Sequence, residues 1–93
     1  MINIVYEENK DRAAAYDGDK LVGQCTYSKS DNNWIVEHTL VDPEYGGQGI
    51  AAMLVKEVVD RAREKGVKIV PVCSYVQREF EKKEEYKDLL AKK

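Results

Sequence analysis

The repeat of apolar residues changes once along the chain, and the place of that change limits the folds open to it. Before Asp42 the apolar positions recur at every second residue, and after Gly49 they recur at every third or fourth. Ile2, Ile4 and Tyr6 alternate with Asn3, Val5 and Glu7, which predicts a strand from Ile2 to Glu7. Arg12 to Asp17 is expected as a second strand despite three alanines of low strand propensity. It runs into Asp17-Gly18-Asp19, where glycine tolerates the positive φ of a hairpin turn. Leu21 to Ser28 reads as a third strand, Ser30-Asp31-Asn32-Asn33 as the next turn, and Trp34 to Val41 as a fourth strand. A meander of four antiparallel strands follows.

Past the change, Ile50, Leu54, Val55, Val58, Val59 and Ala62 mark one face of an amphipathic helix. It is expected to end near Lys65, where Arg63 and Lys65 complement the negative helix end and Gly66 supplies a left-handed cap. Val67 to Cys73 is a short run rich in β-branched residues. A strand reached through a helical crossover lies parallel to a neighbour in the same sheet. Tyr75 to Leu90, with Val76, Phe80, Tyr86, Leu89 and Leu90 as its apolar members, reads as a closing surface helix, and Ala91 to Lys93 are expected to fray. The order ββββ-α-β-α with a mixed sheet defines an α+β class. With 93 residues, no repeat and no linker, residues 1–93 are read as a single domain.

A chain of this length buries only about two-thirds of its unfolded surface, so a functional site is expected as a surface groove rather than a deep cavity. Fifteen basic against seventeen acidic side chains leave a net charge of −2, which argues against binding nucleic acid or an anionic membrane by charge. No apolar run approaches the roughly 18 residues of a membrane span, and the first residues lead straight into an alternating pattern. A cytoplasmic protein is expected. Cys25 and Cys73 are then read as free thiols rather than a disulfide, and with one histidine no metal site is expected.

The segment Thr39-Leu40-Val41-Asp42-Pro43-Glu44-Tyr45-Gly46-Gly47-Gln48-Gly49-Ile50-Ala51 carries a strand through a proline turn into a glycine-rich helix start. Small residues there admit a ligand to the backbone, and the free N–H groups of a first helical turn attract an anion such as a phosphate or pyrophosphate. A tight turn without ligand fits the same glycines. There is no Gly-Lys-Ser/Thr of a P-loop, and the glycine spacing departs from the dinucleotide fingerprint.

These residues resemble the GNAT superfamily of N-acetyltransferases, whose loop reads Arg/Gln-x-x-Gly-x-Gly/Ala after a Val-x-Pro turn. Val41 and Pro43 match the turn and Gly49 and Ala51 the last fixed positions, while Gly46 replaces the usual Arg or Gln. The chain is similar in particular to very short members with His-Thr-x-Val before the loop and Pro-x-Cys-Ser-Tyr after the next strand, here His38-Thr39-Leu40-Val41 and Pro71-Val72-Cys73-Ser74-Tyr75. The resemblance implies a GNAT-like mixed sheet and acetyl-CoA as cofactor. It places the coenzyme A pyrophosphate on Gly46, Gly47, Gln48, Gly49, Ile50 and Ala51. Main-chain groups of Thr39, Leu40 and Val41 then bind the pantetheine arm and polarise the thioester carbonyl. It implies an acetyltransferase acting on an amine acceptor that the sequence does not identify, and a substrate side left open by the lack of two helices found in larger relatives.

Acetyl transfer needs a base for the attacking amine, an oxyanion donor and, for the departing thiolate, an acid. His38 is a candidate base, and its place beside Trp34, Val36 and Leu40 on an alternating strand fits a core histidine equally well. Glu37, on the face of Ile35 and Thr39, is a second candidate. Cys73, at the expected end of the last strand, is read as an acyl relay activated by His38 or as a wall residue beside the acyl group. The tyrosine acid of larger relatives falls on Phe80, which cannot donate a proton; Tyr75 and Tyr86 are the possible substitutes, each also a packing residue. A coenzyme-binding module without turnover is the alternative function, and a monomer is expected.

Overall fold

The computed structural model describes residues 1–91; the fraying expected at residues 92 and 93 lies outside the described residues. The five strands are β1 (Ile2–Glu7), β2 (Arg12–Asp17), β3 (Lys20–Ser30), β4 (Asn33–Val41) and β5 (Lys68–Pro71), arranged β1-β2-β3-β4-β5 in one sheet. The first four form the antiparallel meander, and β5 pairs parallel to β4 after the crossover helix α1 (Ile50–Lys65). This is the expected α+β order and mixed sheet. No described helix is long and apolar enough to cross a membrane.

α1 lies across one face of the sheet and touches all five strands. Its Ile50, Leu54, Val55, Val58, Val59 and Ala62 are buried against Ala13, Ala15, Val22, Cys25, Tyr27, Trp34, Val36 and Ile69. The alanines of β2, weak as strand formers, are accounted for here: the small side chains of Ala13 and Ala15 on the covered face let the helix approach closely. At the β3–β4 hairpin end, Tyr27 stacks on Trp34 with ring centroids 4.0 Å apart, and its hydroxyl meets that of Tyr6 at 2.6 Å.

Three expectations need correction. The closing helix does not run unbroken from Tyr75 to Leu90: α2 spans Ser74–Lys82, Lys83 is extended, and a 3-10 helix covers Glu84–Leu89. The break turns Tyr86 and Leu89 into the core and leads Leu90 to a parallel bridge with Ile69, where the Ala91 amide donates to the Ile69 carbonyl at 2.8 Å. The last strand stops at Pro71, so Cys73 is not a strand residue but the one that precedes α2.

The third correction concerns β4. Thr26 faces His38 but Tyr27 faces Val36, which leaves Glu37 as an extra residue in a β-bulge. A one-residue insertion exchanges the two faces of everything after it. Trp34 and Val36 point into the core; beyond the bulge Val41 and Thr39 take the inner side, and His38 and Leu40 are exposed on the outer one. Of the two readings of His38, the core histidine that strict alternation allowed is therefore not found.

Candidate active site

The bulge also ends the pairing of β4 with β5. The parallel register runs from Asn33↔Lys68 to Val36↔Pro71 and no further, and the amides of Val72 and Cys73 both donate to the Val36 carbonyl, at 3.0 and 3.1 Å. From Thr39 to Val41, β4 is paired only with β3. Its other backbone edge is left without a strand partner, with Cys73 beside it at Thr39 and the glycine loop following Val41 in the chain.

The loop is held from below. Asp42 accepts a hydrogen bond from the Glu44 amide at 2.9 Å, and the 3-10 turn Pro43–Tyr45 ends with the Gly46 amide donating to the Pro43 carbonyl. Tyr45 donates its hydroxyl to Asp17 at 2.7 Å, tying the loop to the β2–β3 turn. Gly46 is extended at φ −63°, so the position where an Arg or Gln was expected needs no glycine for its backbone. Gly47 and Gly49 do need one, with φ of 79° and 75°. A Cβ at either would meet nothing within 4 Å, so the space in front of them is free. Gly49 starts α1 without any side-chain cap, which leaves the first-turn amides, those of Ile50 and Ala51 among them, available to an anion. Gly46, Gly47, Gln48 and Gly49 are all exposed. The residues present thus fit a pyrophosphate.

Cys73 stands at the start of α2, partly buried, and no side-chain hydrogen bond caps that helix end. Its thiol donates to Thr39 Oγ1 at 3.7 Å, and the Thr39 hydroxyl donates to Cys25 Sγ at 3.5 Å. Burial opposes ionisation of Cys73. The Val76 amide, the Thr39 hydroxyl and the Tyr75 and Thr39 amides outweigh it and hold the thiol below its ordinary value. Cys25, buried in the core, is pushed up to about 11 by desolvation and stays a neutral thiol.

The structure brings Thr39 to Cys73 but not His38 or Glu37. Both candidate bases are exposed on the sheet face away from α1. His38 makes no hydrogen bond to Cys73, and Glu37 accepts one from Ser28 at 2.7 Å. Tyr86 is buried against Phe80, their ring centroids 5.5 Å apart, and serves the core; Tyr75 is partly buried beside the same cluster. Among the described residues no group of three or more His, Cys, Asp or Glu side chains is placed to hold a metal. The Thr39 side chain is the functional group that sequence reasoning missed. It was read only for its main chain, because strict alternation turned its side chain away from the core.

A split between parallel strands beside an uncapped, glycine-rich helix start places an unpaired strand edge next to an anion site. A family model of GCN5-related N-acetyltransferases matches residues 12–89, and the chain belongs to that family, whose members use acetyl-CoA. It is similar to a GCN5-like protein of Staphylococcus aureus, with 32% identity and a TM-score of 0.75 over 96% of this chain and 87% of that one. The PaiA N-acetyltransferase of Thermoplasma acidophilum, solved in complex with coenzyme A, shares the fold at 21% identity and a TM-score of 0.59, over 83% of this chain and 48% of that one. The ribosomal-protein-S18-alanine N-acetyltransferase of Escherichia coli shares it at 18% identity and a TM-score of 0.61, over 69% of this chain and 42% of that one. No curated protein matches.

Proposed function

We propose that this acetyltransferase moves the acetyl group of acetyl-CoA to an amine by way of Cys73. The observation that carries the reading is the place of Cys73: at the start of a helix, beside the unpaired edge of β4 and in contact with Thr39, where hydrogen bonds hold its thiol below its ordinary value. The amides of the glycine loop and of the first turn of α1, from Gly46 to Ala51, hold the pyrophosphate, and the main chain of Thr39, Leu40 and Val41 holds the pantetheine arm. Acetyl-CoA supplies an activated acetyl group. The Cys73 thiolate forms a bond to the acetyl carbon as the bond from that carbon to the coenzyme sulfur breaks, and the coenzyme leaves as a thiolate that needs no acid. An amine then attacks the acetylated Cys73: the C–N bond forms, the C–S bond to Cys73 breaks, and the amine proton passes to a base. His38 and Glu37 are the bases proposed for that proton, because they lie on the open face from which an acceptor reaches β4.

The first test is a calorimetric titration with acetyl-CoA, coenzyme A and ATP. Saturable binding of both coenzyme forms and not ATP is expected, abolished in Gly49→Glu and retained in Gly49→Ala, which carries the same backbone strain without the charge. Intact mass after incubation with acetyl-CoA should show one acetyl group on Cys73, lost on adding a primary amine and absent in Cys73→Ala. An N-acetylated product formed by Cys73→Ala at the parent rate would replace the relay with direct transfer. Binding of the coenzyme with no transfer to any amine would leave the chain a coenzyme-binding module.

A further inference from the structure

The Thr39 hydroxyl lies between two sulfur atoms, 3.5 Å from Cys25 Sγ and 3.7 Å from Cys73 Sγ. A hydroxyl has one proton to give and can accept on its lone pairs, so it serves both sulfurs only when one of them donates to it. With Cys73 protonated, the arrangement is Cys73 S–H to Thr39 Oγ1 and Thr39 O–H to Cys25. We infer that Thr39 is a positioning residue that switches this proton between the two sulfurs and so favours the ionisation of Cys73. When Cys73 gives its proton to water, the Thr39 O–H turns about its Cβ–Oγ1 bond to point at the Cys73 thiolate. No heavy atom moves and no other bond changes. A bond to a charged acceptor is stronger than one to a neutral thiol, so the turn favours the ionised state.

The two cysteines are unequal partners. Cys25 is fully buried and held neutral, which makes it a weak acceptor that gives up the hydroxyl at little cost; Cys73 is partly exposed at a helix start. The bulge at Glu37 makes the contact possible, since without it the side chain of Thr39 would lie on the outer face with Ile35 and His38 would take the inner one. The effect on acetyl transfer rests on the Cys73 relay; the effect on the thiol itself does not.

The test follows alkylation of Cys73 by iodoacetamide against pH, read by mass spectrometry, in the full chain without coenzyme. Thr39→Val keeps the shape and removes the hydroxyl; its alkylation midpoint should lie about one pH unit above the parent's, and Thr39→Ser should return it to the parent value. Cys25→Ala removes the competing acceptor and should move the midpoint down. It supplies an independent arm if Thr39→Val does not fold. An unchanged midpoint in folded Thr39→Val, or in Cys25→Ala, overturns the switch. With acetyl-CoA saturating, Thr39→Val should slow acetylation of Cys73 below the parent's rate, and Thr39→Ser should restore it. If the parent takes up no acetyl group yet the midpoints move as stated, the relay fails and the thiol switch stands.

Discussion

Single residues fix the site by what they leave out as much as by what they supply. Gly23, buried on β3 opposite Val41, has little room for a side chain: a Cβ there would lie 3.1 Å from the Leu40 carbonyl oxygen, 3.3 Å from Leu54 and 3.4 Å from Val41. Gly23→Ala should destabilise the protein by about 1–3 kcal/mol, because the Leu40 carbonyl and the Leu54 side chain must both give way. Chemical denaturation would show this as a lower midpoint, and weaker coenzyme A binding should accompany it; an unchanged midpoint would mean that the layers at Gly23 yield freely. On the opposite face of the sheet, Glu7 accepts hydrogen bonds from Tyr16 and Arg12, both at 2.6 Å, and Arg12 also reaches Gln24 at 2.7 Å. Tyr16 first and Arg12 second hold the Glu7 carboxyl below its ordinary value. A carboxyl depressed on folding contributes stability that is present above its unfolded value, near pH 4.5, and is lost as pH falls through the lower folded value. The melting temperature of Glu7→Gln should therefore fall short of the parent's at about pH 6, and the gap should narrow as the pH falls below 4.5 and close once it passes the lower folded value. A gap that persists into acid would assign the loss to packing instead of charge.

At the scale of elements, α1 is the piece most fully specified by its own sequence. Its six buried residues repeat at helical spacing, and Gly66 ends it at φ 70°. The Val67 amide donates to the Ala62 carbonyl at 3.1 Å and the Gly66 amide to the Arg63 carbonyl at 3.3 Å, a Schellman closure that returns the chain to the sheet for β5. Gly66→Ala meets no neighbour, so its cost is conformational, about 1 kcal/mol, and a thermal melt should fall by a few degrees with coenzyme binding retained. The strand meander, the crossover and the glycine loop were legible for the same reason: each depends on local spacing or on residue types that only glycine or proline can replace. The bulge in β4 was not. Trp34 and Val36 continue smoothly to the apolar Leu40 two registers on, whereas the true inner residues are polar Thr39 and Val41, and no glycine marks the slip at Glu37. The only signal was Val41, out of phase with Trp34 and Val36. The break at Lys83 was equally silent, since nothing in Lys82-Lys83-Glu84 stops a helix; burial of Tyr86 and Leu89 and the bridge from Leu90 to Ile69 impose it from outside. Thus the anion loop could be read from sequence, while the hydroxyl between the two thiols could not, because its orientation follows from the bulge.

Over the whole molecule, one helix and a short closing segment give the sheet a single core, so the two sheet faces have different tasks. The face under α1 carries the hydrophobic cluster; the other is covered by no described helix and shows a cross-strand row of Glu7, Arg12, Thr26 and His38. Exposed apolar side chains on that side, Val5 and Leu40 among them, belong to the next row, where Ala14 and Gln24 stand between them. Self-association through a sheet face needs a continuous apolar patch, and a charged, hydrogen-bonded row next to scattered aliphatics does not provide one. The protein is therefore expected to be a monomer with this face free for an acceptor. Light scattering at the concentrations of the coenzyme titrations should give the mass of one chain. His38, the one histidine of the sequence, supplies a local readout of the same face. Diethyl pyrocarbonate should modify it readily with coenzyme A bound or absent, since the coenzyme edge of β4 and the His38 side chain lie on different sides of the strand. A dimer in which His38 is protected would show that a second copy covers this face, and any acceptor would then have to enter along the edge of β5.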